Sequence, residues 1–194
     1  ISPAARAMAQ ALSLLGEHVD VELVETVVGA EPGSLVQELM ELEQFAFIHP
    51  TAGRSTHMRH QIISEACANT IPKERRRELH KTAMAAIASR YGNLDGRYEQ
   101  LAFHAERAGE DSAALDYLWQ AGLEARRNSA AASLNLIFDR ALVLIDRIGK
   151  PAEDRYVAFV LMAFASTVQL GEFEKMNTHL PRIIDLARRR GRPE

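Results

Sequence analysis

Residues 98–141 decide how this chain folds. They begin Tyr98-Glu-Gln-Leu-Ala-Phe-His-Ala-Glu-Arg-Ala-Gly109, pass through an alanine-rich segment holding Leu115 and Trp119, and end on Phe138 to Ala141. Upstream of Gly109, the residues Tyr98, Leu101, Ala102 and Ala105 share one helical face. Downstream, Ala114, Leu118 and Ala121 lie five, nine and twelve positions beyond it. Small residues let two helices approach closely, and Tyr98 and Leu118 fill the gaps. The same offsets recur from Ser129, at Leu134, Phe138 and Ala141. Residues 111–127 are therefore expected to form one helix shared by two neighbours.

A third, weaker instance turns at Gly171. Val160, Phe164 and Thr167 precede it, and Phe173, Met176, Leu180 and Ile183 follow. Pro181 falls inside the second helix of that instance and is expected to kink it or strand a carbonyl. Lys150-Pro151 marks the break before it. This spacing is similar to the tetratricopeptide pattern, with a period of about 34 residues, in which each helix pair needs its neighbour to bury its face. Residues 93–194 are expected to form such a superhelical stack, whose surface receives a protein, a peptide or a neighbouring domain. Glu99, His104, Glu106, Arg107, Asp116 and Gln120 read as outward-facing. The candidate partner-binding residues are Tyr98, His104, Arg107, Trp119 and Gln120, Trp119 being either core or a binding hot spot.

Residues 1–70 read differently. Ser2-Pro3 opens a helix with apolar residues from Ala7 to Leu15, and Gly16 ends it. Asp20 caps a second helix, with Leu23, Val24, Val27 and Val28 inward. Pro32-Gly33-Ser34 starts a third, with Leu35, Leu39 and Leu42 in register. Phe45-Ala46-Phe47-Ile48 and Thr56-His57-Met58-Arg59 read as two strands around a turn at Thr51–Ser55. Three short helices and a ribbon is the winged-helix order. The third helix carries Glu38, Glu41 and Glu43 without Lys or Arg, so phosphate binding is not expected there.

Residues 71–92 form a bridging helix after Pro72. Its run Lys-Glu-Arg-Arg-Arg-Glu-Leu-His-Lys reads as a solvated face with ion pairs at helical spacing. Residues 1–58 are net −6 and residues 59–90 net +4, which marks separate units.

The segments Phe45 to Ile48, Met58 to Ala66 and Pro72 to His80 resemble a region of large bacterial signalling ATPases of the STAND class. There an AAA-type ATPase domain is followed by a winged helix and tetratricopeptide-like repeats. The group includes multidomain adenylate or guanylate cyclases and LuxR-type regulators. The matching residues are His60, Ile63, Glu65, Ala66, Arg75, Arg76, Arg77, Leu79 and His80. Met58 and Cys67 stand where that pattern has aromatics. The resemblance implies a non-catalytic regulatory region with a mainly α fold. Its alternatives are a DNA-binding part of a regulator or a region of a nucleotide cyclase.

Composition agrees with a helical interaction module. The chain has 194 residues, 47% hydrophobic and only 6% aromatic, with net charge −3. That is apolar enough for a core and poor in the residues of a β-sandwich. The single Cys67 suits a reducing compartment, so a cytoplasmic location is expected. Cys67 itself reads as a small core residue. No membrane span or phosphate-binding loop is present in the sequence. His57 and His60 lack the further ligands zinc needs, and His60 reads as a hydrogen-bonding residue at a helix start. No catalytic residue, metal or cofactor is expected. The first residue is Ile1 and the last four are Gly191-Arg192-Pro193-Glu194, so an excised piece of a longer protein is expected.

Overall fold

The computed structural model describes residues 1–16, 19–49 and 55–190. Among these the fold is mainly α, with ten α-helices and one two-stranded ribbon. The chain divides into two compact units. The first is Ile1–Gly92 together with Arg107–Gly109, and the second is Asn93–Glu106 with the chain from Glu110 onward.

The first unit is built on α1 (Pro3–Leu15). Ser2 caps it, its hydroxyl accepting from the Ala5 amide at 3.1 Å, with Pro3 in the first turn. Met8, Ala9, Ala11, Leu12 and Leu15 are buried. They receive α2 (Val21–Val28), α3 (Val36–Gln44), α4 (Gln61–Asn69) and α5 (Lys73–Arg90). Asp20 caps α2 through the Glu22 amide. The buried Glu25 carboxylate accepts from the Gly33 amide at 2.7 Å and ties down the loop before α3. Ser2 reaches the other way. Its hydroxyl and its amide each donate to Glu41 at 2.6 Å, and both hold that carboxyl below its ordinary range. Glu41, one of the acids of α3, thus ties α3 to the start of α1. At the far end of α5, Arg90 forks onto Asp20 at 2.5 Å and Glu22 at 2.8 Å. The helix of residues 71–92 therefore packs as part of the first unit, on α1 and α2.

The ribbon differs from the sequence expectation. Phe45 closes α3, and Ala46 takes a left-handed φ of 58°, so Phe45 and Ala46 are not strand. Extended pairing starts at Phe47, whose carbonyl accepts from the Arg59 amide at 2.8 Å, and Ile48 bridges Met58. The named strands are β1 (Val19–Asp20) and β2 (Ser55–Thr56), antiparallel, with Val19 opposite Thr56. Two residues before α2 are too few to show a periodicity, and the sequence reading missed them. The expected turn lies largely outside the described residues. α3 starts at Val36, after turns over the Pro32-Gly33-Ser34 stretch. His60 occupies the N-cap of α4 without a side-chain cap bond; its carbonyl accepts from the Ser64 amide.

The second unit is a run of antiparallel-connected helices: α6 (Tyr98–Ala108), α7 (Asp111–Arg127), α8 (Ala131–Ile148), α9 (Glu153–Gln169) and α10 (Phe173–Arg190). A 3-10 turn over Lys150–Ala152 fills the expected break. The three turns read from the sequence are turns. Gly109, Ser129 and Gly171 have φ of 81°, 55° and 75°. α7 is packed on more than one side. Ala114, Leu115, Leu118, Ala121, Gly122 and Ala125 are all buried, and α7 meets both α8 and α9. A Cβ on Gly122 would run into the Met162 methyl of α9, with Leu134 of α8 behind it at 3.5 Å. α10 runs on through Pro181, where the carbonyl of Asn177 loses its helical donor.

The repeat is longer than expected. α7 and α9 are both 17 residues and α8 and α10 both 18, and each element starts 42 positions after its counterpart. The sequence offsets around each turn were real, but the helices run further than the 34-residue pattern allows. Ion pairs follow the longer rhythm. Arg147 meets Asp111 at 2.8 Å and Arg189 meets Glu153 at 3.5 Å, the second pair 42 positions beyond the first. Asp139–Lys175 at 2.7 Å and Asp146–Arg182 at 2.6 Å join α8 to α10. Glu106, expected to face outward, is half-buried and bonds Arg140 at 2.6 Å.

Ser129 carries strain that its counterpart Gly171 avoids, because a Cβ disfavours positive φ. Ser129→Gly is expected to stabilise the chain by about 0.5–1 kcal/mol, read as a raised denaturation midpoint. His80 supplies a pH prediction. It is buried, and burial, then the Arg107 and Arg76 cations, push its pKa from 6.5 down to about 4. The unfolded chain takes up the proton first, so this stabilisation is full above about pH 6.5 and is lost as pH falls towards 4. In urea titrations, His80→Gln is expected to flatten the loss of stability between pH 7 and 4.5.

Candidate partner-binding groove

An open groove of about 440 Å³ lies in the second unit, where the start of α6 approaches α7 and α9. Tyr98 comes from α6. Asp116, Tyr117, Trp119 and Gln120 come from α7, and Arg155 and Ala158 from α9. The helical offset puts Asp116, Tyr117 and Gln120 on neighbouring positions of one side of α7. Trp119 is half-buried. One side of its indole stands edge-on to Phe159, with centroids 5.2 Å apart and planes at 84°. The rest lines the groove. It is thus both packing residue and exposed aromatic, the two roles between which the sequence left it.

The groove exists because Ala158 is small. A larger residue there would fill the space between Trp119 and the ion pair of Asp116 with Arg155. That pair bridges α7 to α9 at the rim, with both partners about half exposed. The result is an aromatic floor, one amide at Gln120, and one charge of each sign at the edge. Such a lining suits an aromatic or aliphatic side chain whose backbone is held by polar groups at the rim.

Three of the five candidate residues, Tyr98, Trp119 and Gln120, therefore meet in one groove. Two do not. His104 is wholly buried, in edge contact with Phe103 at 5.4 Å. It follows Leu101 by three positions and sits on the same inward face as Ala105, so it cannot touch a partner. Arg107 is exposed but clusters with the first unit, beside His80. Tyr117, Arg155 and Ala158 were missed. Only the 39-residue step from Asp116 to Arg155, close to the repeat length, hinted that they belong together.

A second groove, of about 420 Å³, lies in the first unit between α1 and α4. Arg6, Gln10, Phe47, Cys67 and Thr70 line it, and the Gln10 amide donates to the Thr70 hydroxyl at 2.9 Å across it. Cys67 is only half-buried, less than expected, and burial pushes its thiol pKa up, away from the reactive thiolate. Among the described residues, no group of three His, Cys, Asp or Glu could hold a metal, and no helix is long and apolar enough to cross a membrane. Compared with known proteins, the chain matches no family model, no curated protein and no solved structure.

Ala158→Phe is expected to fill the groove from its α9 wall. Trp119 is the single tryptophan, so its fluorescence reports on this site alone. The variant should lower acrylamide quenching of Trp119 by roughly half, with little change in melting, since the added ring enters open space.

Proposed function

We propose that this chain is a non-catalytic interaction and regulatory region of a larger cytoplasmic signalling ATPase of the STAND class. In this reading the first unit is a winged helix and the second a tetratricopeptide-like stack that binds a protein or peptide. The observation that carries it is the groove, where Tyr98, Tyr117 and Trp119 are gathered at one opening. The helix–strand–helix–helix–strand order of residues 3–56 supports the first half of the reading. The acids of α3, one of them occupied by Ser2, argue against nucleic acid as the ligand.

Mechanistically, a peptide side chain would enter against Trp119 and Tyr117, and its polar neighbours would pair with Gln120, Asp116 or Arg155. Because Arg155 and Ala158 stand on α9 and Tyr98 on α6, an occupant touches three helices at once and stiffens their relative positions. That stiffening is the signal the first unit would relay to the ATPase domain.

Selection of random peptides on the intact chain tests this. Enriched peptides are expected to share an aromatic or large aliphatic anchor, to quench or shift Trp119 emission, and to lose at least tenfold in affinity to Tyr117→Ala, about 1.4 kcal/mol. Peptides that bind Tyr117→Ala and Ala158→Phe as well as the parent chain would overturn the assignment of the groove. Turnover of ATP by the chain alone would overturn the non-catalytic reading.

A further inference from the structure

The last hairpin, α9–α10, carries apolar residues on the side turned away from the rest of the second unit. Met162 of α9 faces Gly122 of α7, and His179 of α10 faces the Phe138 ring of α8. On the other side stand Leu161, Phe164 and Val168 of α9, and Phe173, Leu180 and Ile184 of α10, all exposed. Leu161 is 69% exposed and Phe173 58%. The steps are three and four positions on α9, and seven and four on α10, where the exposed Asn177 stands between Phe173 and Leu180. That is the spacing of seams along which helices pair. The helical phase of α9 and α10 puts both stripes on one side of the hairpin. Six large apolar residues on one face are more than scattered surface residues account for.

The charges beside the α10 stripe reverse sign from one end of the helix to the other. Three cations of α10 are engaged inward: Lys175 with Asp139, Arg182 with Asp146 and Arg189 with Glu153. Glu174 and Arg188 are exposed, and neither is paired among the described residues. Glu174 follows Phe173, and Arg188 stands 14 positions further on, two heptads away on the same flank of the stripe. A twofold axis crossing α10 near Pro181 reverses the helix direction and keeps that flank on the same side. It brings Glu174 of each copy to Arg188 of the other, and Leu180 opposite Ile184. An interface between identical copies needs a surface complementary to itself, and this arrangement of charges supplies one. A partner of unlike sequence would need no such reversal. On α9 the stripe is flanked by Ala165, which sets no like charge across the axis.

We infer that the exposed face of α9–α10 joins a second copy of this chain in a twofold dimer, with α10 antiparallel to α10. The face is separate from the Trp119 groove, and the inference does not rest on the function proposed for that groove.

Sedimentation equilibrium of the intact chain tests this, with reversible monomer–dimer association expected. Phe164→Lys should abolish the dimer while keeping the helical circular dichroism of the parent, since Phe164 is exposed. Glu174→Arg and Arg188→Glu should each weaken the dimer about fivefold to tenfold, because both symmetry-related pairs become like-charged. An equimolar mixture of those two variants should regain the parent's affinity, every pair being again opposite in sign. Tyr117→Ala should dimerise as the parent does, which keeps this face distinct from the groove. A chain that stays monomeric at every concentration would overturn the inference and leave the face to a different protein. Dimers indifferent to Phe164→Lys would overturn it by placing the contact elsewhere. Single charge variants as tight as the parent, or a mixture no tighter than its components, would overturn the antiparallel register on which the assignment stands.

Discussion

α7 cannot be satisfied by one neighbour, and the second unit follows from that constraint. Its buried residues span Ala114, Leu118, Ala121 and Ala125 on one track and Leu115 and Gly122 on another. Each apolar track left in water would cost about 25 cal/mol per Å². α8 covers most of it, and Gly122 lets α9 close over the remainder. A helix hemmed in this way fixes the positions of the helices around it. The groove is a by-product: where α9 offers only Ala158, closure is incomplete, and Trp119 and Tyr117 keep part of their surface in solvent.

The first unit solves a similar problem with polar ties. α1 supplies the apolar surface for four helices, yet the loops between them are placed by single carboxylates. Glu25 holds the amide of Gly33, Glu41 holds Ser2, and Asp20 with Glu22 holds Arg90. Much of the excess acid in residues 1–58 is thus spent inside the unit.

What was legible in the sequence is what local chemistry dictates. The caps at Ser2 and Asp20, the turns at Gly109, Ser129 and Gly171, and the stripe of small residues along 102–141 all depend on near neighbours, and they are where they were expected. What failed depends on distant partners. β1 is two residues long and exists only because Ser55–Thr56 comes alongside. His104 is polar and was read as outward, although its helical position alone placed it inward. Glu106 was read as solvent-facing because Arg140 is 34 residues away. The repeat length was misjudged because spacing around a turn fixes a helix's beginning and says nothing of its end. Of the groove on α6 and α7, Tyr117 apart, the residues Tyr98, Trp119 and Gln120 were legible. The α9 wall was not, since nothing marks an alanine as the residue that leaves space.

The 42-residue rhythm also bears on how such a chain can change length. Because α7 and α9, and α8 and α10, agree in both length and phase, excising any window of that size within the pair rejoins two helices at equivalent points. The fused helix keeps its inward face inward. A cut two residues shorter or longer rotates everything downstream by about 200° around the helix axis and turns the core stripe towards water. The stack is therefore indifferent to the loss or gain of a whole unit and intolerant of small insertions inside a helix. Variation in this architecture is confined to whole steps and to the short turns between helices.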